Sequence, residues 1–281
     1  MILTKRALVK TLVEKDTMYM HGKKIIVSGP QEDRVIRAFN NVRFYKSDMS
    51  GKCDSLHSNN KTQLTKLIGR PILWNNENQM TGDIMHLIGN NKTQKLDSLK
   101  VLNNAFIIQK DSLSKNGYNQ IKGQNLFGKF IESKLKEVDV VKNAEVIYYM
   151  YNDANEFIGI NKTVCSKINL ELEANKINSI TFFTKTDSFI YPEAEFPENA
   201  RKLRGFLWRG DERILSKDDI FPAEEIALDD KIQIDAKKKA KEAEKPMEIL
   251  PETLDFDENK KAKEKKIEKK ADSKKKTVKK Q

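Results

Sequence analysis

Between residues 16 and 190 apolar and polar positions alternate, with period two prevailing over 3.6, as in "TMYMHGKKIIV", "NVRFYKS", "RPILWNN", "NAFIIQK", "NAEVIYYMY" and "KINLELEANKINSITFFT". Alternation places successive side chains on opposite faces, and these segments are rich in β-branched and aromatic residues, so they predict strands. Clusters such as "SGPQED", "HSNNKT", "IGNNKT" and "YNDANE" separate them and supply turn chemistry. No long amphipathic helix precedes residue 215. A doubly wound α/β sheet, and with it most nucleotide-binding enzymes, is therefore disfavoured.

The alternation also repeats at a longer period. "NNVRF" (40–44), "GRPIL" (69–73), "NNAFI" (103–107) and "KNAEV" (142–146) recur at intervals of 29, 34 and 39 residues. In phase with them run "MYMHGKK" (18–24), "MSGKCDS" (49–55), "MTGDIMH" (80–86), "IKGQNLF" (121–127) and "VCSKINL" (164–170). A unit of two or three strands cannot bury its apolar face alone, whereas stacked units can, and the product is a quasi-one-dimensional β array. "RALVKTLVEKDTMYMHG" reads like the end of one unit running into the next. The expectation is a chain that opens in mid-repeat, with further repeats and any signal peptide upstream.

Composition narrows this picture. With 281 residues, 38% hydrophobic and 33% charged, the chain suits one or two folded units with a shallow core. Its net charge of +11 is uneven: residues 231–281 hold 18 Lys against 11 Asp or Glu, leaving only +4 for residues 1–230. That tail has too few large apolar residues to offset the entropy of ordering, so it is expected to be disordered or partly helical. No run approaches the roughly 18 to 20 apolar residues that span a bilayer, and "MILTKRALVKTL" lacks the continuous apolar core of a secretory signal.

Candidate chemistry is sparse. Cys53 and Cys165 lack CxxC spacing, and buried free thiols are favoured over a single bridge. His21, His57 and His86 have no HxH or HxxxH partner, so they are read as exposed polar positions and no metal site is expected. GxSxG, GxGxxG and Walker sequences are absent, and no catalytic pair or cofactor is expected.

The repeat phase instead names a face. Val42, Pro71, Ala105 and Ala144 align, and two residues on stand Phe44, Leu73, Ile107 and Val146. Cys53, Ile84 and Ile168 are taken as equivalent in the second series, Leu170 and Leu172 continue inward, and Asn125 breaks the apolar rule at the same place. The same residues would equally fill a dry β-sandwich core. Further on, "KLRGFLWRGDER" combines Arg201, Arg204, Phe206, Trp208 and Arg209. That mixture is able to stack bases or grip phosphate, but the preferred reading is a segment that caps the array, with Trp208 over its open end. Arg209, Asp211, Glu212 and Arg213 are read as a surface ion network.

The phased segments "NNVRFYKSDMSGKCDSL", "GRPILWNNENQMTGD" and "YNQIKGQNL" resemble the OstA-like family, the LptA-type β-jellyroll repeats of lipopolysaccharide transport. Residues 156–221 look like the closing segment of a longer OstA-like subfamily, so the resemblance covers about residues 1–222 and implies the C-terminal portion of such a protein. It implies an all-β chain: a repetitive, open β-jellyroll, or β-taco, of antiparallel strands. It also implies a non-enzymatic periplasmic protein of outer-membrane assembly, with association with the outer membrane as a further option.

The partners implied are lipopolysaccharide, through its lipid A acyl chains, and other jellyroll proteins joined by edge-strand pairing; no specific nucleic acid is expected. The lipid-facing candidates are Val42, Phe44, Cys53, Leu73, Ile84, Ala105, Ile107, Val146, Ile168 and Leu170, and the capping candidates are Arg204, Phe206, Trp208 and Arg209. Of the small-then-acidic pairs in the second series, only Cys53–Asp54 is recognised. The organisation expected is repeats over 1–190, a capping segment over 191–222 and a basic low-complexity tail over 223–281. Two rival readings stand beside it: a β-repeat interaction scaffold without lipid, and a nucleic-acid or polyanion binder acting through the tail.

Overall fold

The computed structural model describes residues 1–243 apart from Glu14, Lys15, Asn76, Gln94, Lys115, Ser133, Ala174, Asn175 and Lys185; the expectations for residues 244–281 lie outside the described residues. The chain is all-β up to residue 191. Its strands are β1 (Ile2–Val13), β2 (Asp16–Ser28), β3 (Val35–Lys46), β4 (Met49–Asn59), β5 (Leu64–Ile68), β6 (Ile72–Asn75) and β7 (Asn78–Thr81), followed by β8 (Ile84–Gly89), β9 (Leu96–Lys110), β10 (Tyr118–Ile131), β11 (Lys134–Tyr151), β12 (Phe157–Glu173), β13 (Lys176–Phe183) and β14 (Asp187–Tyr191). All pairings are antiparallel between neighbours in an array, and the described strands form a single sheet.

The long strands bend midway, and the repeated sequence motif marks the bend. Lys5–Arg6, Asn40–Asn41, Gly69–Arg70, Asn103–Asn104 and Lys142–Asn143 all have positive φ, between 36° and 79°. Left-handed backbone is rare outside glycine, and asparagine tolerates it better than most residues, which is why Asn recurs there. Opposite four of these pairs stands a small residue: Gly22 faces Ala7, Cys53 faces Val42, Gly123 faces Ala105 and Cys165 faces Ala144. The register slips at these points. Between the pairs His21↔Arg43 and Lys24↔Phe39, three residues of β3 face two of β2, a β-bulge that turns the sheet over.

Each corner divides its strands between two arms. On one arm Ile25, Ala38, Leu56, Leu67, Met85, Val101, Leu126, Val140, Ile168 and Phe182 lie directly opposite one another from β2 to β13. On the other arm the ladder is Val9, Met20, Phe44, Gly51, Leu73, Met80, Ile107, Ile121, Val146 and Thr163. Side chains of both ladders belong to one continuous apolar core. Fully burying a side chain of this size contributes about 1.5 to 3 kcal/mol, and no single hairpin supplies enough of them to stand alone.

Beyond β14 the chain becomes a strap of short 3₁₀ turns at Glu193–Glu195, Glu198–Ala200, Gly210–Glu212 and Asp218–Ile220. The prolines at 192, 197 and 222 lack the N–H that strand pairing or helix continuation needs. A helix, α1, follows over Ala223–Ala243, with Glu224 and Glu225 in its first turn, where acidic residues favour the helix N-terminus. By contacts the chain divides into Met1–Leu228 and Asp229–Gln281, so the strap folds with the array. No helix of the described residues is long and apolar enough to cross a membrane.

Candidate functional site

The inward face is the candidate site. Val42, Cys53 and Ala105 form part of its row of small residues at the corners, while Phe44, Leu73, Ile107 and Val146 stand on the second arm's ladder. Ile168 and Leu170 lie on the facing arm. These nine are 0–7% exposed, so the two arms meet and their own side chains fill the space between them.

Ile84 is placed otherwise. It pairs with Ile68 and Leu102 on the outer face and is half-buried, whereas its neighbour Met85 enters the core. The cause is the corner: inward positions on this series run from Gly82 to Met85, from Cys53 to Leu56 and from Gly123 to Leu126, a step of three where simple alternation steps by two. Asn125 therefore breaks no rule, since it sits on the outside and accepts a hydrogen bond from the Asn103 N–H at 3.1 Å. The structural alignment also makes Gly82–Asp83 a second small-then-acidic pair beside Cys53–Asp54. The Asp83 carboxylate accepts from the Asn104 side chain at 3.0 Å.

Close approach explains the small residues. A Cβ on Gly51 would stand 2.3 Å from Phe44 Cζ, on Gly82 2.3 Å from Val101 Cγ1 and on Gly123 2.5 Å from Val140 Cγ1. At the far end the apolar ladder turns polar, because buried Thr163 exchanges a hydrogen bond with Ser188 at 2.7 Å and donates one to Asn161 at 2.9 Å.

The outer face of the second arm is apolar too, and the strap covers it. Phe106, Ile108, Ile147, Tyr149 and Ile160 pack there with Phe196 and Leu203. Trp208 meets Tyr118 at 5.5 Å, on β10 in the interior of the array, so it lies against the side of the array and does not close its end. Phe206 also meets Tyr118, at 5.2 Å. Two buried glutamines hold the strap. Gln120 donates to the Arg201 carbonyl at 2.7 Å and accepts from Leu203 N–H at 2.8 Å. Gln79 makes the same pair with the Leu207 carbonyl and Arg209 N–H, both at 2.7 Å. Each glutamine precedes its corner glycine, Gly123 or Gly82, by three residues, and that spacing is the signal the sequence carries for them.

Between strap and corners lies an open groove of about 1430 Å³, lined largely by polar side chains that include Arg43, Lys52, Lys122, Arg204 and Arg209. Most of its charges are paired: Glu212 accepts from Arg209 Nε at 2.7 Å and from Lys52 Nζ at 3.2 Å, and Lys122 meets Glu145 at 2.8 Å. Arg209 and Lys52 together hold the Glu212 carboxyl well below its usual range, at about 2. Arg204 is exposed and has no ion pair or hydrogen bond among the described residues.

His21 is buried, not exposed. Its Nδ1 lies 2.9 Å from the Ala7 carbonyl oxygen and its Nε2 lies 3.1 Å from Glu225, while Phe221 packs edge-on at 5.0 Å. His57 and His86 are half-buried on the outer face of the first arm. Among the described residues no three His, Cys, Asp or Glu converge to hold a metal. Cys53 and Cys165 are free and buried. Six strand steps separate them, about 29 Å at the ~4.8 Å spacing of strands, far beyond disulfide reach. Burial pushes the Cys53 thiol up to about 12.

No protein-family model and no curated protein matches this sequence. Among solved structures, the chain is similar to "LptH, the LptA homologous periplasmic component of the conserved lipopolysaccharide transport device from Pseudomonas aeruginosa", at 16% identity over 52% of this chain and 99% of that one, with a TM-score of 0.39.

Proposed function

We propose that the chain is a non-enzymatic carrier or bridge for lipopolysaccharide in the periplasm, with acyl chains lying between the two arms. The observation that carries this reading is the inward face, apolar from β1 to β11 and without a charged residue in either ladder. Each acyl methylene sheltered there would contribute about 0.8 kcal/mol. The polar head group would remain in water at the open side of the fold. The arms must part for this, since Phe44, Leu73 and Ile107 are 1–7% exposed as they stand. Among the described residues β1 is paired only with β2, and β13 and β14 only with β12, which leaves edges for strand addition by jellyroll partners.

The filled interior favours a second reading, an interaction scaffold that never opens. Photo-crosslinking separates the two. A photoreactive residue at Phe44, Leu73 or Ile107 labels lipopolysaccharide in intact cells if the chain is a carrier, and one at outward Ile84 does not. Labelling of protein alone from all four positions rejects the carrier.

A further inference from the structure

Among the described residues the outer face of the first arm carries no strap, and its register places five basic side chains in a row. Arg37 on β3 lies directly opposite His57 on β4, His57 opposite Lys66 on β5, Lys66 opposite His86 on β8, and His86 opposite Lys100 on β9. Neighbouring strands are ~4.8 Å apart, so the row is about 19 Å long. Arg37, Lys66 and Lys100 stand on alternate strands, ~10 Å apart with a histidine between each two, so three like charges share one face of the sheet without standing directly opposite one another.

Nothing in the surrounding rows relieves the repulsion. The residues two places away along each strand are Val35 and Phe39, Ser55 and Asn59, Leu64 and Ile68, Ile84 and Ile88, and Ser98 and Leu102. None is acidic, and none of the three cations Arg37, Lys66 and Lys100 has an ion pair among the described residues. The row continues from Lys100 to Phe127 and only then reaches Asp139, which is already engaged by Lys167 at 2.8 Å and by Asn169 at 3.0 Å. The imidazole of His86 is held below its ordinary range by burial and by Lys66 and Lys100 on either side, as a positive field requires.

We propose that this face docks on the surface of an anionic lipid bilayer, the basic row lying over lipid phosphates and the flanking aliphatic rows entering the headgroup boundary. The composition selects this occupant over a nucleic acid. The flanks are mostly aliphatic: Ile68, 42% exposed, with half-buried Leu64, Ile84, Ile88 and Leu102, against two aromatic side chains at the ends of the row, half-buried Phe39 and Phe127, 39% exposed. Aliphatic side chains suit an interface between water and acyl chains, whereas single-stranded nucleic acid is gripped by aromatic stacking. The inference does not depend on the carrier reading, which concerns the opposite face of the same strands.

The test is co-sedimentation of the full chain with vesicles of phosphatidylcholine, with and without phosphatidylglycerol, at low salt. The expected result is binding only where phosphatidylglycerol is present. Each juxtamembrane cation contributes about fivefold in affinity, so the triple variant Arg37→Gln, Lys66→Gln, Lys100→Gln should bind about a hundredfold more weakly. That variant relieves repulsion and should melt no lower than the parent, which separates lost docking from lost folding. Ile68→Ser should weaken binding with all charges intact. Three outcomes overturn the proposal: no dependence on phosphatidylglycerol, unchanged binding by the triple variant with loss only in Lys274→Gln, Lys275→Gln, Lys276→Gln, or an oligonucleotide that competes through the row where vesicles do not bind.

Discussion

Gln79 and Arg209 are 130 residues apart in sequence, yet the buried side-chain amide of one accepts the backbone N–H of the other at 2.7 Å. With the Leu207 carbonyl as second partner, Gln79 imitates a paired strand and ties the strap to β7. Gln79→Leu leaves two peptide groups of the strap without partners, each costing about 1 to 3 kcal/mol when buried. A lower urea midpoint and faster proteolysis within 201–215 are expected, and Gln120→Leu should act in the same way on Arg201 and Leu203.

The corner pair Asn103–Asn104, with φ of 58° and 52°, is left-handed at both positions. A β-branched residue there costs about 1 to 2 kcal/mol beyond what asparagine costs. Asn104→Val should therefore lower thermal stability, and Asn104→Gly should lower it far less. Equal losses would point instead to the side-chain hydrogen bonds to Asp83 as the dominant role.

Gly51 and Phe44 fill one place between them. A Cβ on Gly51 would sit 2.3 Å from Phe44 Cζ and 2.7 Å from the Ile72 carbonyl oxygen. Gly51→Ala is expected to cost about 1 to 3 kcal/mol through overpacking. Phe44→Leu vacates part of that space, so the double variant should lose less than the two single losses together. Additivity in a double-mutant cycle would place the strain on the Ile72 carbonyl.

Acid should loosen the ion cluster at the strap. Glu212 is held at about 2 against an ordinary value of 4.5, chiefly by its hydrogen bond from Arg209. A depressed carboxyl stabilises the folded state above its unfolded pKa, and that contribution disappears as pH falls through the folded value. Parent and Glu212→Gln stabilities should therefore converge as pH falls from about 4.5 to 2, and urea midpoints across that range measure it.

Cys53, with its thiol raised to about 12 by burial, should not react with a thiol reagent at neutral pH in the native protein. Cys165 is shifted in the same direction for the same reason. Titration with Ellman's reagent should find both only after denaturation, and rapid native labelling of Cys53 would mean that the arms open readily.

What the sequence determined by itself was local. Alternation gave the strands, and the recurrence of "NNVRF", "GRPIL", "NNAFI" and "KNAEV" located four corners, but not the first, where "KRALV" hides the same left-handed pair at Lys5–Arg6 without asparagine, nor the one at left-handed Thr184 between β13 and β14. Side-chain phase within a strand follows from pleating, which is a property of neighbouring residues. The tertiary structure decided what lies across a corner. A bulge gives one strand an extra residue over its partner, so the second series advances by three and Ile84 turns outward while Met85 turns in. It also decided where the strap lies. Gln79 and Gln120 look like ordinary polar residues on alternating strands until strap peptides more than 80 residues away become their partners. Similarly, the row Arg37, His57, Lys66, His86 and Lys100 has no period in the chain, and only strand register brings it together.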